Sequence, residues 1–205
     1  MLGVYNYTVI MTYIAMLIAC AGMNLIIKGN YKAALLCLMI AGILDMFDGK
    51  VASTKKNRTA DEKSFGIQID SMCDLICYGV LPALFVYTID GGHRLAICIC
   101  AIYQLCALIR LSYFNVDEAN RQNETKDERH EYRGLPVTSA ALILPLVYLL
   151  CLFLNRNLSF WALAVLAAMG ISFITPFRII KPSWGGKIIL IIIGLTELVF
   201  LIITK

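Results

Sequence analysis

Charged residues are scarce in this sequence. Only 16% of its 205 residues are Asp, Glu, Lys or Arg, whereas 60% are hydrophobic, and the mean hydropathy is +0.75. A soluble globular domain usually carries about 25% charged residues. Several apolar runs also approach the roughly 20 residues that cross a bilayer as a helix. The composition therefore excludes an ordinary soluble domain and predicts an integral membrane protein with several spans.

Signals of two other protein classes are also missing. The start MLGVYNYTVI has neither a basic segment nor a small-residue cleavage site, so we expect no removable signal peptide. The eight cysteines form no CxxC pair and are scattered through apolar runs. This pattern argues against a disulfide framework and against a thiolate metal site. We expect the lipid bilayer as a partner and no nucleic acid.

Seven apolar segments stand out along the chain. We predict a helix in each, because a backbone exposed to lipid must satisfy its hydrogen bonds internally. The polar stretches 53–64 and 116–133 are predicted to be solvated loops. The apolar segments and polar loops together predict an all-α, polytopic transmembrane bundle of six to seven spans, forming one domain over residues 1–205. The predicted helices cover 8–27, 31–52, 65–89, 94–115, 136–154, 158–175 and 186–203.

The basic residues lie mostly at one end of these predicted spans. Eleven Lys and Arg fall on the side of the N-terminus and five on the opposite side. Cytoplasmic loops of membrane proteins carry such an excess of basic residues. We therefore predict a protein of the cytoplasmic membrane with its N-terminus in the cytoplasm. If the segment 158–175 is short or re-entrant, the C-terminus changes side, while the assignments of the earlier segments stay the same.

Four aspartates interrupt the second and third apolar segments. Asp45 and Asp48 are three residues apart, and Asp70 and Asp74 are four apart, so each pair shares one face of a helix. Both pairs fall near the predicted cytoplasmic ends of adjacent helices. We therefore expect the four carboxylates to converge at the cytoplasmic face of the membrane.

Such a cluster of acids needs a balancing charge. An ionised carboxylate at mid-depth in a membrane costs about 2.5–3.5 kcal/mol, and four together repel one another. A divalent cation relieves both effects, and oxygen ligands suit Mg²⁺, Mn²⁺ or Ca²⁺. Two such ions are able to clamp the attacking and leaving oxygens of a displacement at phosphorus. The residues alone thus predict a metal-dependent enzyme of phosphate chemistry that acts on a lipid.

The order of residues in this region resembles the signature of the CDP-alcohol phosphotransferases. That signature is D-x2-D-G-x2-A-R followed, after a gap, by G-x3-D-x3-D. Ser53 stands where the signature has arginine, and the gap that follows is about four residues longer than usual. Seven of the eight fixed positions match, namely Asp45, Asp48, Gly49, Ala52, Gly66, Asp70 and Asp74.

Two further segments resemble the phosphatidylserine synthase branch of this family. They are RLSYFN, which runs from Arg110 to Asn115, and GLP, which runs from Gly134 to Pro136. The resemblance implies transfer of the phosphatidyl group of CDP-diacylglycerol to L-serine, giving phosphatidylserine and CMP. Glycerol 3-phosphate or inositol phosphate is the alternative acceptor. A non-enzymatic membrane transporter with an interfacial cation site is the alternative of another class.

The resemblance also implies a role for each residue of the signature. Two divalent ions, Mg²⁺ or Mn²⁺, would be held by Asp45, Asp48 and Asp70, with Asp74 as a further ligand and as the general base. Cations of the long loop, Lys55, Lys56 or Arg58, would replace the missing arginine. We also expect a homodimer, with the intramembrane Glu197 in a contact between helices or subunits. The expected substrate-binding residues are Gly49, Ala52, Ser53, Arg58, Gly66, Arg110 and Asn115.

Overall fold

A computed structural model of the protein describes residues 3–124, 131–180 and 184–204. Its first two helices form a hairpin, α1 (Tyr7–Ile27) and α2 (Tyr31–Ser53). The Asn6 side chain caps α1 by accepting a hydrogen bond from the backbone N–H of Thr8 at 3.1 Å. The two helices approach closely, because a Cβ added to Gly22 would lie 3.0 Å from the Cβ of Cys37. Small residues permit such close packing of membrane helices.

The third rod is continuous from Ala60 to Asp90 but changes its helical type on the way. It consists of α3 (Ala60–Asp74), a π-helix (Leu75–Val80) and α4 (Leu81–Asp90). The prediction of a solvated loop over 53–64 is wrong for its last residues. Thr59 and Glu62 form a capping box, in which each side chain accepts a hydrogen bond from the backbone N–H of the other, and this box starts α3 early.

Pro82 removes one backbone hydrogen-bond donor just after the π-helix. A proline lacks the N–H that would donate to the carbonyl four residues earlier, which here belongs to Tyr78. The hydroxyl of Tyr103 donates to that carbonyl instead, at 2.6 Å. Tyr103 lies on α5 (Arg94–Glu124), which packs against the π-helix. The helix α5 also extends well beyond the predicted end at residue 115, so the prediction of a loop from 116 is wrong up to residue 124.

The remaining helices are α6 (Ala140–Phe153), α7 (Leu158–Ile174) and α8 (Trp184–Ile203), with a 3-10 turn at Val137–Ser139 before α6. Two three-residue strands, β1 (Glu131–Arg133) and β2 (Arg178–Ile180), pair antiparallel. They bring the start of α6 beside the end of α7. The two helices therefore run in opposite directions as a hairpin.

Gly134 holds this junction together. Its φ is +74°, and a Cβ at this position would lie 2.8 Å from the carbonyl oxygen of Phe173. The N–H of Gly134 donates to the carbonyl of Phe177 at 2.8 Å. The N–H of Leu135 donates to the carbonyl of Ser172 at 3.1 Å. The segment GLP thus fastens the chain before α6 to the end of α7, and its glycine is required by the backbone conformation.

The helices form one bundle with a common core. Counting the third rod once, the described residues contain seven helical rods. Three of these, Tyr7–Ile27, Ala60–Asp90 and Arg94–Ala119, are long and apolar enough to cross a membrane, and shorter apolar helices accompany them. The predicted class, an all-α polytopic membrane bundle, is confirmed, with the strand pair as a local addition. Glu197 is 4% exposed, so its carboxyl lies inside the protomer, between α8 and its neighbours.

Candidate active site

The four aspartates meet between α2 and α3. One carboxylate oxygen from each of Asp45, Asp70 and Asp74 lies within 4.8 Å of the other two. Asp48 stands one turn further along α2 and faces Asp70, while Asp45 faces Asp74. The spacing of three and four residues places each pair on one helix face, and the packing of the two helices turns these faces toward each other.

The cluster fits a hard divalent cation. All of its donors are carboxylate oxygens, the ligands that Mg²⁺ and Mn²⁺ prefer. In the part of the chain that the structure describes, no lysine, arginine or histidine forms an ion pair with any of the four aspartates. The three residues of the closest group are only partly exposed, so water screens their mutual repulsion incompletely. A cation of charge two or more would offset this repulsion.

A cavity of about 780 Å³ opens beside the cluster. One wall carries Asp48 and Asp70, and four basic residues stand around it, namely Lys55, Lys56, Arg58 and Lys63. A cavity with carboxylates able to hold a cation on one wall and basic residues around it suits a ligand that carries phosphates. Of the expected substrate-binding residues, five line this cavity: Gly49, Ala52, Ser53, Arg58 and Gly66.

Arg58 reaches over Gly66 into this space. Its Nη2 donates to the carbonyl of Glu62 at 3.2 Å, and a Cβ added to Gly66 would lie 2.6 Å from that Nη2. The Nε of Arg58 is buried and has no hydrogen-bond partner among the described residues. Gly66 therefore makes room for the guanidinium beside the cavity that Arg58 lines.

The other candidates for the missing signature arginine are placed differently. Lys55 forms an ion pair with Glu62, with 2.7 Å between Nζ and Oε1. The Ser53 hydroxyl donates to the carbonyl of Lys50 in its own helix at 2.7 Å. The side chain of Ser53 thus satisfies the end of α2, and the charge of Lys55 is already engaged. Of the three loop cations, Lys56 and Arg58 line the cavity without an ion pair to any described residue, and Arg58 is the one that lies over Gly66.

The two expected residues of the RLSYFN segment do not line this cavity. Arg110 lines a separate cavity of about 240 Å³ between α5 and the end of α7, and its guanidinium lies 5.8 Å from the centroid of the Phe114 ring. Asn115 accepts a hydrogen bond from the hydroxyl of Ser71 at 2.9 Å. Because Ser71 follows Asp70 directly, Asn115 connects α5 to the helix that carries Asp70 and Asp74.

Sequence reasoning missed the contribution of α1. Thr8 and Thr12 line the cavity, and the Thr12 hydroxyl lies 3.4 Å from Oδ2 of Asp48. The thiols of Cys73 and Cys77 donate to the carbonyls of Thr12 and Ala15, which fixes α1 against the rod of the second aspartate pair. The sequence did contain a signal for this contribution, because Thr8 and Thr12 lie four residues apart, on one face, at the start of a mainly apolar helix.

These features define a class: an integral membrane protein with a carboxylate cluster suited to a divalent cation beside a basic, phosphate-sized cavity. The family model for CDP-alcohol phosphatidyltransferase matches residues 5–174. The chain therefore belongs to the CDP-alcohol phosphatidyltransferase family. The match covers α1 to α7 and so includes every residue of the cluster and of the cavity. Membership of a transferase family favours the enzyme over the transporter alternative.

Curated relatives agree with this assignment. A CDP-diacylglycerol–serine O-phosphatidyltransferase of Helicobacter pylori is 28% identical over 188 residues, which are 87% of this chain and 75% of the relative. A protein of the same name from Methanocaldococcus jannaschii is 26% identical over 196 residues, 96% of this chain and 85% of the relative. An archaetidylserine synthase of Methanothermobacter thermautotrophicus is 32% identical over 144 residues, 70% of this chain and 58% of the relative.

Proposed function

We propose that this protein transfers the phosphatidyl group of CDP-diacylglycerol to the hydroxyl of L-serine, releasing CMP and forming phosphatidylserine. The observation that carries the proposal is the aspartate cluster in a CDP-alcohol phosphatidyltransferase, two of whose members, Asp48 and Asp70, line a cavity with four basic residues around it. Serine is the acceptor common to the names of the three relatives, although one of them is named for an archaeal lipid. That agreement supports serine over glycerol 3-phosphate and inositol phosphate.

The aspartates divide the work between binding and proton transfer. Asp45, Asp48 and Asp70, together with Asp74, would hold two divalent ions. When bound, these ions neutralise the diphosphate and stabilise the charge on the attacking and leaving oxygens. Asp74 accepts the proton of the serine hydroxyl while the oxygen of that hydroxyl forms a bond to the lipid-side phosphorus. The bond between that phosphorus and the oxygen of the departing CMP breaks.

Other residues of the cavity hold the nucleotide. Gly49 leaves space on the wall, because an added Cβ there would meet no atom within 4 Å. Ala52, one turn away, is also small. Arg58 donates to the diphosphate in place of the arginine that Ser53 replaces. A guanidinium is suited to this task, because its fixed fork of N–H groups matches phosphate oxygens.

The acceptor would approach from the side of α5. Asn115, through Ser71, sets the position of the acid-bearing helix. Arg110 faces the smaller cavity, where a guanidinium is able to receive the carboxylate of serine. The whole chain acts as a single catalytic domain in this proposal. Its active site faces the cytoplasm, where the excess of basic residues lies, and the membrane is the cytoplasmic membrane.

A competition between acceptors tests the reaction. Purified protein in detergent receives CDP-diacylglycerol, Mn²⁺ and either labelled serine, glycerol 3-phosphate or inositol phosphate, and the lipid product is identified by mass spectrometry. We expect phosphatidylserine and CMP in equal amounts from serine alone. Asp74→Asn is the matched control, because it keeps the shape but cannot accept the proton, and it should form no product. Product from another acceptor but not from serine would contradict the assignment.

Metal removal tests the role of the cluster. We expect EDTA to abolish the transfer, and excess Mg²⁺ or Mn²⁺ to restore it, because the substrate diphosphate and the four carboxylates repel each other without a cation. The activity at increasing metal concentrations shows which ion is preferred. Full turnover in EDTA would refute the two-ion proposal. The homodimer stays a prediction, which crosslinking in native membranes can test.

A further inference from the structure

Tyr78 places a hydroxyl beneath the carboxylate cluster. Its side chain is 1% exposed, and the hydroxyl has no hydrogen-bond partner among the residues that the structure describes. The oxygen lies 4.0 Å from a Cβ built on Gly42, which precedes Asp45 by one helical turn. Gly42 and Asp45 are three residues apart on α2, and Asp74 and Tyr78 are four apart on the third rod, so each pair shares a helix face. The hydroxyl therefore points between α2 and α3 on the side of the acids.

The backbone of Tyr78 is held in place independently of the hydroxyl. Its carbonyl accepts the hydrogen bond from Tyr103, since Pro82 has no N–H to offer. The π-helix that contains Tyr78 starts directly after Asp74. Short π segments occur frequently at functional sites. The ring is thus anchored within the core, and the position of its hydroxyl relative to the carboxylates is fixed.

A buried hydroxyl without a partner is unfavourable, so its retention needs a compensating acceptor. Carboxylates are strong acceptors, and those of Asp45 and Asp74 are the ones that face the hydroxyl. Groups that bind a metal are commonly oriented by hydrogen bonds from residues behind them. A phenol hydroxyl is a suitable donor here, because it adds no charge to the cluster.

We propose that Tyr78 is a positioning residue of the metal site, whose hydroxyl donates a hydrogen bond to the carboxylate of Asp45 or Asp74 when these bind a divalent cation. This inference rests on the metal-dependent transfer proposed above. The bond would turn one carboxylate oxygen away from the metal and leave the other oriented toward it. Tyr78 itself touches neither the metal nor the substrate.

Direct binding of Mn²⁺ tests the inference without relying on catalysis. The free ion gives a strong electron paramagnetic resonance signal, so titration of purified protein yields the Mn²⁺ affinity. Tyr78→Phe removes the hydroxyl and keeps the ring. We expect Mn²⁺ to bind about 10- to 100-fold more weakly to this variant, the usual effect of losing such a partner. Its unfolding temperature in EDTA should equal or exceed that of the wild type, since an unpartnered buried hydroxyl is lost.

Tyr13→Phe is the matched control. The Tyr13 hydroxyl donates to the carbonyl of Val4 at 2.7 Å and not toward the acids, and it does not contact Tyr78. This variant should unfold at a lower temperature and keep a Mn²⁺ affinity near that of the wild type. If Tyr78 had a purely structural role, Tyr78→Phe would likewise unfold at a lower temperature and bind Mn²⁺ as tightly as the wild type.

The possible outcomes separate this inference from the proposed function. If the wild type binds Mn²⁺ and transfers the lipid, but Tyr78→Phe binds Mn²⁺ equally well, the inference is overturned and the proposed function stands. If the wild type binds no Mn²⁺, both are overturned. A selective loss of affinity in Tyr78→Phe, without a loss of stability in EDTA, supports the positioning role.

Discussion

Replacing Arg58 with alanine tests how the protein replaces the arginine that its signature lacks. The guanidinium lies over Gly66, and Arg58 lines the cavity beside the aspartates. A hydrogen bond to a charged group contributes about 1.5–3 kcal/mol. Because about 1.4 kcal/mol corresponds to a factor of ten, Arg58→Ala should raise the KM for CDP-diacylglycerol by roughly ten- to a hundredfold or more. The KM for serine should change little.

A second substitution perturbs the same contact from the other side. The methyl group of Gly66→Ala would overlap Nη2 of Arg58, which lies 2.6 Å from the built Cβ. The end of a flexible side chain is able to move, so the variant should fold normally but displace the guanidinium. We therefore expect a raised KM for CDP-diacylglycerol with little change in unfolding temperature.

Steady-state kinetics in mixed micelles, with the CDP-diacylglycerol fraction varied, measure both effects. The double variant Arg58→Ala/Gly66→Ala should resemble Arg58→Ala alone, because the glycine acts through the arginine and the two changes are not additive. Arg156→Ala is the control, since Arg156 is an exposed arginine in the turn between α6 and α7. An unchanged KM in Arg58→Ala, or fully additive effects in the double variant, would refute this account of the diphosphate site.

Three further predictions test the site, its orientation and the fold. Ser53→Arg should lower the KM for CDP-diacylglycerol strongly in an Arg58→Ala background and little in the wild type. Equal effects in both backgrounds would show that Arg58 does not replace the signature arginine at the diphosphate. With the eight native cysteines replaced, a cysteine at Lys56 should resist an impermeant maleimide in intact cells while one at Arg156 reacts, and the reverse pattern would invert the predicted topology. Gly134→Ala should destabilise the protein by more than about 1 kcal/mol, because alanine disfavours a positive φ and its methyl group would press on the Phe173 carbonyl. Thermal unfolding measures this loss, with Gly49→Ala, which meets no neighbour within 4 Å, as a control of unchanged or higher stability.

The sequence was sufficient for features that depend on local spacing. The length of the apolar runs set the number of helices, because the rise of a helix per residue and the thickness of a bilayer are both fixed. The intervals within each aspartate pair placed Asp45 with Asp48 and Asp70 with Asp74, because a helix repeats every 3.6 residues. A short connection between the two helices then required their acids to lie near each other.

Some errors came from signals that the sequence contained. Thr59 and Glu62 have the spacing of a capping box, which would have predicted the start of α3 at Ala60 rather than near residue 65. The polar end of α5 was misassigned for another reason. Its residues beyond 115 are hydrophilic, and hydropathy marks where a helix leaves the membrane, not where its backbone hydrogen bonds end.

Only the tertiary structure decided which side chains surround the aspartates. Thr12 reaches the site because α1 packs on α3. Tyr78 lies in the π-helix that follows Asp74 in the same rod. The ion pair with Glu62 engages Lys55, while the open Cα of Gly66 admits Arg58. These contacts join residues far apart in the chain or depend on the volume of a single atom. Periodicity describes which face of a helix a residue occupies, but the packing of the bundle determines what that face meets.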